Sequence, residues 1–256
     1  MNQHLKVRLV KIPYIGIALF FLLNIIAISQ FPGYDKCLYD IENFSIEECK
    51  SSAYSFSYNF LSELGSLNTN TDDDKDPINE GGKNNVSNTA SMIFFNTSLV
   101  VVGLIIIIFY NSFNKLFIYK KDSSNSIKYS RITKYLGPVT GIMFAGVGIV
   151  PHDLHFTIHV IFANGAFLFL LFLSIFHTLT FKHSKFINSI YSYGYILFSI
   201  LLFIYVIIIF FGPQIGPGYA FSRNDLVLQV VAQKLIVIAF IGAMFHQTRG
   251  ISNCFN

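Results

Sequence analysis

Six apolar runs, at about 12–29, 92–110, 136–150, 158–181, 190–211 and 226–245, constrain this chain more than anything else in it. A helix needs about 20 residues to cross roughly 30 Å of hydrocarbon, and five of the runs reach about that length. The charge content points the same way. Only 12% of the residues are charged, where a soluble domain carries roughly a quarter. The expected fold is all-α: a polytopic six-helix transmembrane bundle forming one domain over 1–256, with the lipid bilayer as its main partner.

Two of the runs admit a second interpretation. The first follows Lys6, Arg8 and Lys11 and ends near Ala27-Ile28-Ser29, a passable signal-cleavage site. Its apolar core exceeds the ~7–15 residues of a secretory signal, so it reads as an uncleaved span. The third run is short and stops at Pro151. A re-entrant hairpin is its alternative. Gly137 and Gly141 stand in GxxxG spacing there, with Gly146 and Gly148 beyond. Small residues let helix backbones approach closely, which predicts a central, tightly packed span.

Loop charge gives the orientation. Lys6, Arg8 and Lys11 precede span one. Lys115, Lys120, Lys121, Lys128, Arg131 and Lys134 surround the second linker, Lys182 and Lys185 the fourth, and Arg249 follows span six. The 30–91 loop instead holds eleven acids against four lysines. The chain is therefore expected to be a multi-pass protein of the cell membrane, with cytoplasmic termini and an acidic outer loop. Residues 68–87 of that loop are Asn, Asp, Gly and Lys and read as a mobile stretch. Residues 54–67 are apolar and aromatic. Phe60, Leu61 and Leu64 share a helical face and Gly65 can end a helix, which predicts an interfacial helix. The alternation of Tyr54, Phe56, Tyr58 and Phe60 fits an extended strap as well. Asn43 and Asn85 begin glycosylation sequons. Cys37 and Cys49 lie in the same loop and can bridge in an oxidising compartment. No CxxC, phosphate-loop or dinucleotide motif is present, and no basic-aromatic cluster suggests a nucleic-acid partner.

Polar residues inside the spans carry the functional expectation. Lys234 lies about eight residues into span six, so about 12 Å below its outer end. A charge at that depth is costly and turns inward toward a partner. Gln233 is next to Lys234 and Gln229 one turn away; Asn96 lies near the outer end of span two and Asn164 in the outer half of span four, with Asp153 at the outer end of span three and Glu63 on the 54–67 segment. If span four begins at Pro151, then Asp153, Thr157 and Asn164 form one helical stripe and His152, His155 and His159 its neighbour. The expected pocket is lined by Glu63, Asn96, Asp153, Asn164, Gln229, Gln233 and Lys234, and opens toward the outer leaflet. The alternative is a network that only locks helices together. His155 and His159 have the HxxxH spacing of zinc sites, with His152 as a third ligand. Histidines near a headgroup layer are also commonly interfacial. No cofactor is expected, and zinc is the alternative.

Certain blocks look familiar: Ser62-Glu63-Leu64-Gly65, Phe95-Asn96, the turn from Gly148 to His159, and Gln233-Lys234. They resemble the six-span prokaryotic membrane proteins of domain-of-unknown-function family 998. That resemblance implies a six-span fold. The family pattern usually has Asp where this chain has Glu63, which keeps the carboxylate, and the Asn/Asp-rich insert before span two is a further departure. A more distant likeness is to the six-span Frag1/DRAM/Sfk1 group, linked to lipid organisation. A fainter one is to the seven-span ceramidase and adiponectin-receptor hydrolases, whose zinc ligands come from distant helices; here the histidines cluster in one segment.

Three functions follow as expectations. The first is a non-enzymatic protein whose outer pocket binds a lipid headgroup or small polar ligand, with Lys234 as anion contact. The second is a zinc-dependent lipid hydrolase using His152, His155 and His159 with Asp153 as base. The third is a small proton-linked transporter pairing Lys234 with a carboxylate.

Overall fold

The computed structural model describes residues 3–36, 41–42 (backbone only), 45, 49–69, 86–215, 219 and 221–255. Cys37, Asn43, Asn85 and the 70–85 part of the polar stretch lie outside the described residues. Among the described residues six helices are long and apolar enough to cross a bilayer: α1 (Gln3–Gln30), α2 (Thr89–Tyr119), α3 (Ser124–Ile149), α4 (Phe156–Lys182), α5 (Ser189–Phe211) and α6 (Arg223–Asn253). Their outward faces expose Ile15, Leu22, Ile25, Ile161, Leu197, Phe203 and Ile238. A surface this apolar suits lipid tails rather than water. The chain is an integral, multi-pass membrane protein.

The helices outrun the apolar runs because their charged ends stay helical. Lys115 belongs to α2, and Lys128, Arg131 and Lys134 to α3, leaving 120–123 as the link between them. Long basic side chains extend from a helix toward headgroups, so their charge does not end it. Ser123 Oγ caps α3 by accepting the Ser126 N–H at 3.0 Å. The third span is thus 26 residues, neither short nor a hairpin.

Consecutive helices pack side by side, most extensively α2 with α3. Gly103 and Gly141 meet at that crossing. A Cβ on either would strike the other's carbonyl oxygen. Gly137 backs onto Tyr110 in the same seam. Small residues here substitute for a hydrophobic driving force that lipid does not supply. Gly103→Leu is expected to force the helices apart and to cost about 1–3 kcal/mol. Differential scanning fluorimetry in detergent checks this; an unchanged unfolding temperature would count against the crossing.

The ring of helices closes unevenly. A π-turn at Val7–Lys11, just before Pro13, packs against α2 and α6. Farther along, α1 and α6 scarcely touch, leaving a seam between them. The chain's apolar core falls into two main clusters. The larger contains Phe109, Phe113, Phe117, Phe181, Tyr195 and Phe198. Buried His177 stacks between Phe113 and Tyr195, with ring centroids 4.6 and 4.1 Å away. The second, of Ala27, Phe31, Tyr34, Tyr54, Leu64, Phe95, Leu99 and Val147, lies at the end that carries the long loop. That end is the mouth.

Two local expectations are corrected. Residues 54–67 do not form an interfacial helix. They run as an irregular strap with a turn at 56–58, closed by the Asn59 N–H on the Ser55 carbonyl at 3.1 Å, and a 3-10 turn at Leu61–Gly65. The strap is sunk into the mouth, where Asn59 and Leu64 are fully buried. Many of its backbone groups are satisfied by side chains, some its own (Asn59, Glu63) and others from the surrounding mouth (Asn88, Asn96, Asp153, Gln233, Lys234), so these need no helix to pair them. Likewise α4 begins at Phe156, not at Pro151. The Pro151 carbonyl accepts the Leu154 and His155 N–H groups in a separate turn, and His155 has φ −150°. The expected helical stripes of Asp153 and of the three histidines therefore do not exist.

Short ladders pin the loop. β1 (Tyr34–Asp35) pairs antiparallel with β3 (Lys50–Ser51), and β4 (Asn68–Thr69) with β5 (Val86–Ser87). β2 (Ile41–Glu42) runs parallel to β6 (Phe221–Ser222) at the start of α6. Cys49 is disulfide-bonded, and Cys254 is a free thiol.

Candidate functional site

Asn59 is the centre of the strap. Its Oδ1 accepts the Ser55 N–H at 2.9 Å, and its Nδ2 donates to Glu63. Its carbonyl accepts from Tyr54 Oη at 3.1 Å and from Lys234 Nζ at 2.6 Å. Burial, with the Glu63 carboxylate adding to it, holds the Tyr54 phenol well above its ordinary pKa. The Lys234 ammonium also sits 5.4 Å from the centre of the Tyr54 ring, a cation–π arrangement.

Glu63 has a different ionic partner from the one expected. Lys36 Nζ lies 2.8 Å from its Oε1, and both side chains are largely buried, at 11% and 19% exposure. The same oxygen accepts the Phe60 N–H at 2.8 Å. Among the described residues Lys234 makes no ion pair with Glu63 or Asp153; Asn59 stands between Lys234 and Glu63. The strap carbonyl reaches the ammonium where a carboxylate was expected.

The remaining contacts follow one pattern. Gln233 Oε1 accepts the Leu61 N–H at 2.9 Å. Asn96 Nδ2 donates to the Gly65 carbonyl at 3.1 Å. A Cβ at Gly65 would collide with Asn96 and Phe95, so this approach requires glycine. Asp153 accepts the N–H groups of Leu67 at 2.9 Å and Asn68 at 3.0 Å. Five expected residues thus come together: Glu63, Asn96, Asp153, Gln233 and Lys234. What they hold is the protein's own strap. Two stand apart: Gln229 donates to the Pro213 carbonyl at 2.6 Å, and Asn164 is half-buried without a hydrogen bond among the described residues.

Several residues of this network carried no clear signal in the sequence. Asn88 Nδ2 faces the carbonyls of Ser66, Glu63 and Leu64 at 2.9, 3.2 and 3.2 Å. Ser91 Oγ donates to the Leu64 carbonyl at 3.0 Å. An Asn just before an apolar run is an ordinary N-cap mark, but Asn88 turns its side chain to the strap instead of its own helix. Lys36 and Asn59 had nothing to set them apart.

The histidines divide. His152 and His159 meet edge to face at 5.7 Å, and His159 Nδ1 lies 2.7 Å from the Val150 carbonyl. His155 is exposed at the start of α4. Among the described residues no three His, Cys, Asp or Glu side chains stand together as a metal ion requires. Asp153 and His159 Nδ1 are already engaged by backbone groups.

Two cavities flank the strap. Beneath it lies an apolar cavity of about 160 Å³, walled by every helix except α5. Gly16, Phe20, Leu99, Ala163, Val237 and Phe240 are among its lining, and Leu61, Ser62, His159 and Gln233 form its ceiling. Along α6 it extends from Gln233 to Met244, about 16 Å at the rise of an α-helix. Both helices of the α1–α6 seam line it. Above the strap lies a second chamber, of about 150 Å³. Its walls mix Lys36, Glu63, Ser66, Thr69 and His152 with aromatic rings. Ser62 borders both cavities, and His152 above meets His159 below edge to face. The strap is a partition with a polar neck.

Comparison with protein-family descriptions, with curated proteins and with solved structures finds no match to this chain.

Proposed function

We propose that this membrane protein binds a membrane lipid without transforming it, taking the hydrocarbon chain into the cavity beneath the strap. The observation that carries the proposal is that cavity itself: apolar, within the bundle, and bordered by the α1–α6 seam. Its depth of about 16 Å matches one leaflet, half of the roughly 30 Å hydrocarbon layer. A chain entering laterally exchanges one apolar surround for another, while its polar end meets Ser62, His159 and Gln233 at the ceiling. The basic residues near 115–134 and before span one lie at the end opposite the mouth. By the positive-inside tendency the termini are cytoplasmic and the mouth faces the outer leaflet of the cell membrane.

The test fills the cavity. Val237→Trp and Ala163→Phe place bulk against its lining. Each is expected to lower lipid retained per protein about fivefold or more, a loss of about 1 kcal/mol of binding. Native mass spectrometry of detergent-purified protein measures it, with the unfolding temperature as control. Lipid retention equal to that of the unmodified protein rejects the proposal. Stoichiometric zinc in the same preparation, lost in His155→Ala, favours a hydrolase instead.

A further inference from the structure

The chamber above the strap is unlike the cavity below it. Phe31, Tyr34, Phe60 and Phe221 contribute to its wall, and so do Asp35, Lys36 and Glu63. The charges are balanced where they stand. Glu63 pairs with Lys36, and Asp35 pairs with Lys50 at 3.0 Å. A ligand of net charge would find no opposite charge free of a partner in these two pairs. Two polar atoms nevertheless face no partner among the described residues: Thr69 Oγ1, on a residue only 6% exposed, and His152 Nδ1. Buried polar atoms are nearly always paired, so two orphans beside one chamber point to a missing ligand.

We infer that this chamber is the headgroup subsite of the lipid whose chain occupies the cavity, and that it selects a zwitterionic phospholipid headgroup. This rests on the lipid-binding function proposed above. A phosphodiester oxygen accepts hydrogen bonds from Thr69 Oγ1 and from the Nδ1–H tautomer of His152. An ammonium or quaternary ammonium is favoured against aromatic faces, which four rings of the wall supply. The whole headgroup is neutral, as are the two ion pairs at the wall, Lys36–Glu63 and Asp35–Lys50. Ser62 and the His152–His159 pair form the neck between the two parts, where a glycerol backbone would pass.

The experiment uses the full-length protein in detergent. It is equilibrated with an equimolar mixture of phosphatidylcholine, phosphatidylethanolamine, phosphatidylglycerol and a glycosyl diacylglycerol of identical acyl chains. Native mass spectrometry counts what stays bound. The zwitterionic pair is expected to be enriched about fivefold over the anionic lipid and the glycolipid. Thr69→Val with His152→Phe is expected to bring that ratio to about one by lowering retention of the zwitterionic pair to the level of the other two lipids, while Thr69→Ser retains the enrichment. Equal retention of all four lipids by the unmodified protein, or a preference for the anionic or the sugar headgroup, overturns the headgroup subsite and leaves the cavity's function standing. Retention of none overturns both.

Discussion

Glu63→Ala is expected to free the strap and to cost about 3–5 kcal/mol, the usual penalty for removing one partner of a buried ion pair. The loss has three parts. Lys36, 11% exposed, is left without its counter-ion. The Phe60 N–H loses its acceptor, and so does Asn59 Nδ2. Asn59 in turn supplies the carbonyl that holds Lys234, so the damage reaches α6. Hydrogen exchange over 54–69 should accelerate more than exchange in the helices, and the unfolding temperature in detergent should fall. Glu63→Gln keeps an acceptor oxygen and should lie between. Combining Lys36→Met with Glu63→Leu should recover part of the loss, because an apolar pair often replaces a buried ion pair at little cost. Recovery stays incomplete, since Phe60 and Asn59 remain unpaired. Unchanged exchange over 54–69 in Glu63→Ala would show that the ion pair does not hold the strap.

The helices were legible because their signal is additive. A run of about 20 apolar residues announces a span whatever it packs against, and each of the six runs falls on a helix of the bundle, the third ending one residue past Ile149. The ends were less legible, because Lys128, Arg131 and Lys134 look like a loop in one dimension and are helical in three. The site was legible by type more than by partner. Depth and polarity singled out Glu63, Asn96, Asp153, Gln233 and Lys234, and these do converge. Sequence could not show that the strap would be their partner, because backbone N–H and C=O groups have no letter. Asn59 bonds through its main chain as well as its side chain, and its importance comes from being fully buried among four partners. The same blindness applies to Asn164 and Gln229, which have the right depth but face elsewhere. The expected outer pocket shares Glu63 with the chamber above the strap and Gln233 with the cavity below it, but the division into two voids was not legible, since a void is set by how helices meet.

Asp153→Ala is the second test of the partition, and it separates the strap's two ends. The Asp153 carboxylate accepts two backbone N–H groups, from Leu67 and Asn68, just beyond the 3-10 turn. Hydrogen bonds to a charged group contribute about 1.5–3 kcal/mol each, so their joint loss is expected to cost about 3 kcal/mol or more. Asp153→Asn keeps one acceptor oxygen and should cost about half of that. Exchange should rise at 66–69 and spread toward Asn88, whose side chain reaches the Ser66 carbonyl. The informative comparison is the double variant Glu63→Ala/Asp153→Ala. If both carboxylates hold one cooperative strap, the first substitution already releases much of what the second would, and the two losses sum to less than additive. If the strap is two independent pieces, the losses add in full. Sub-additivity also predicts that either single variant opens the neck beside Ser62. Lipid exchange into the cavity, followed by the rate at which a labelled lipid replaces the bound one, should then quicken in both. An unchanged rate with a released strap would mean that lipid enters through the α1–α6 seam alone.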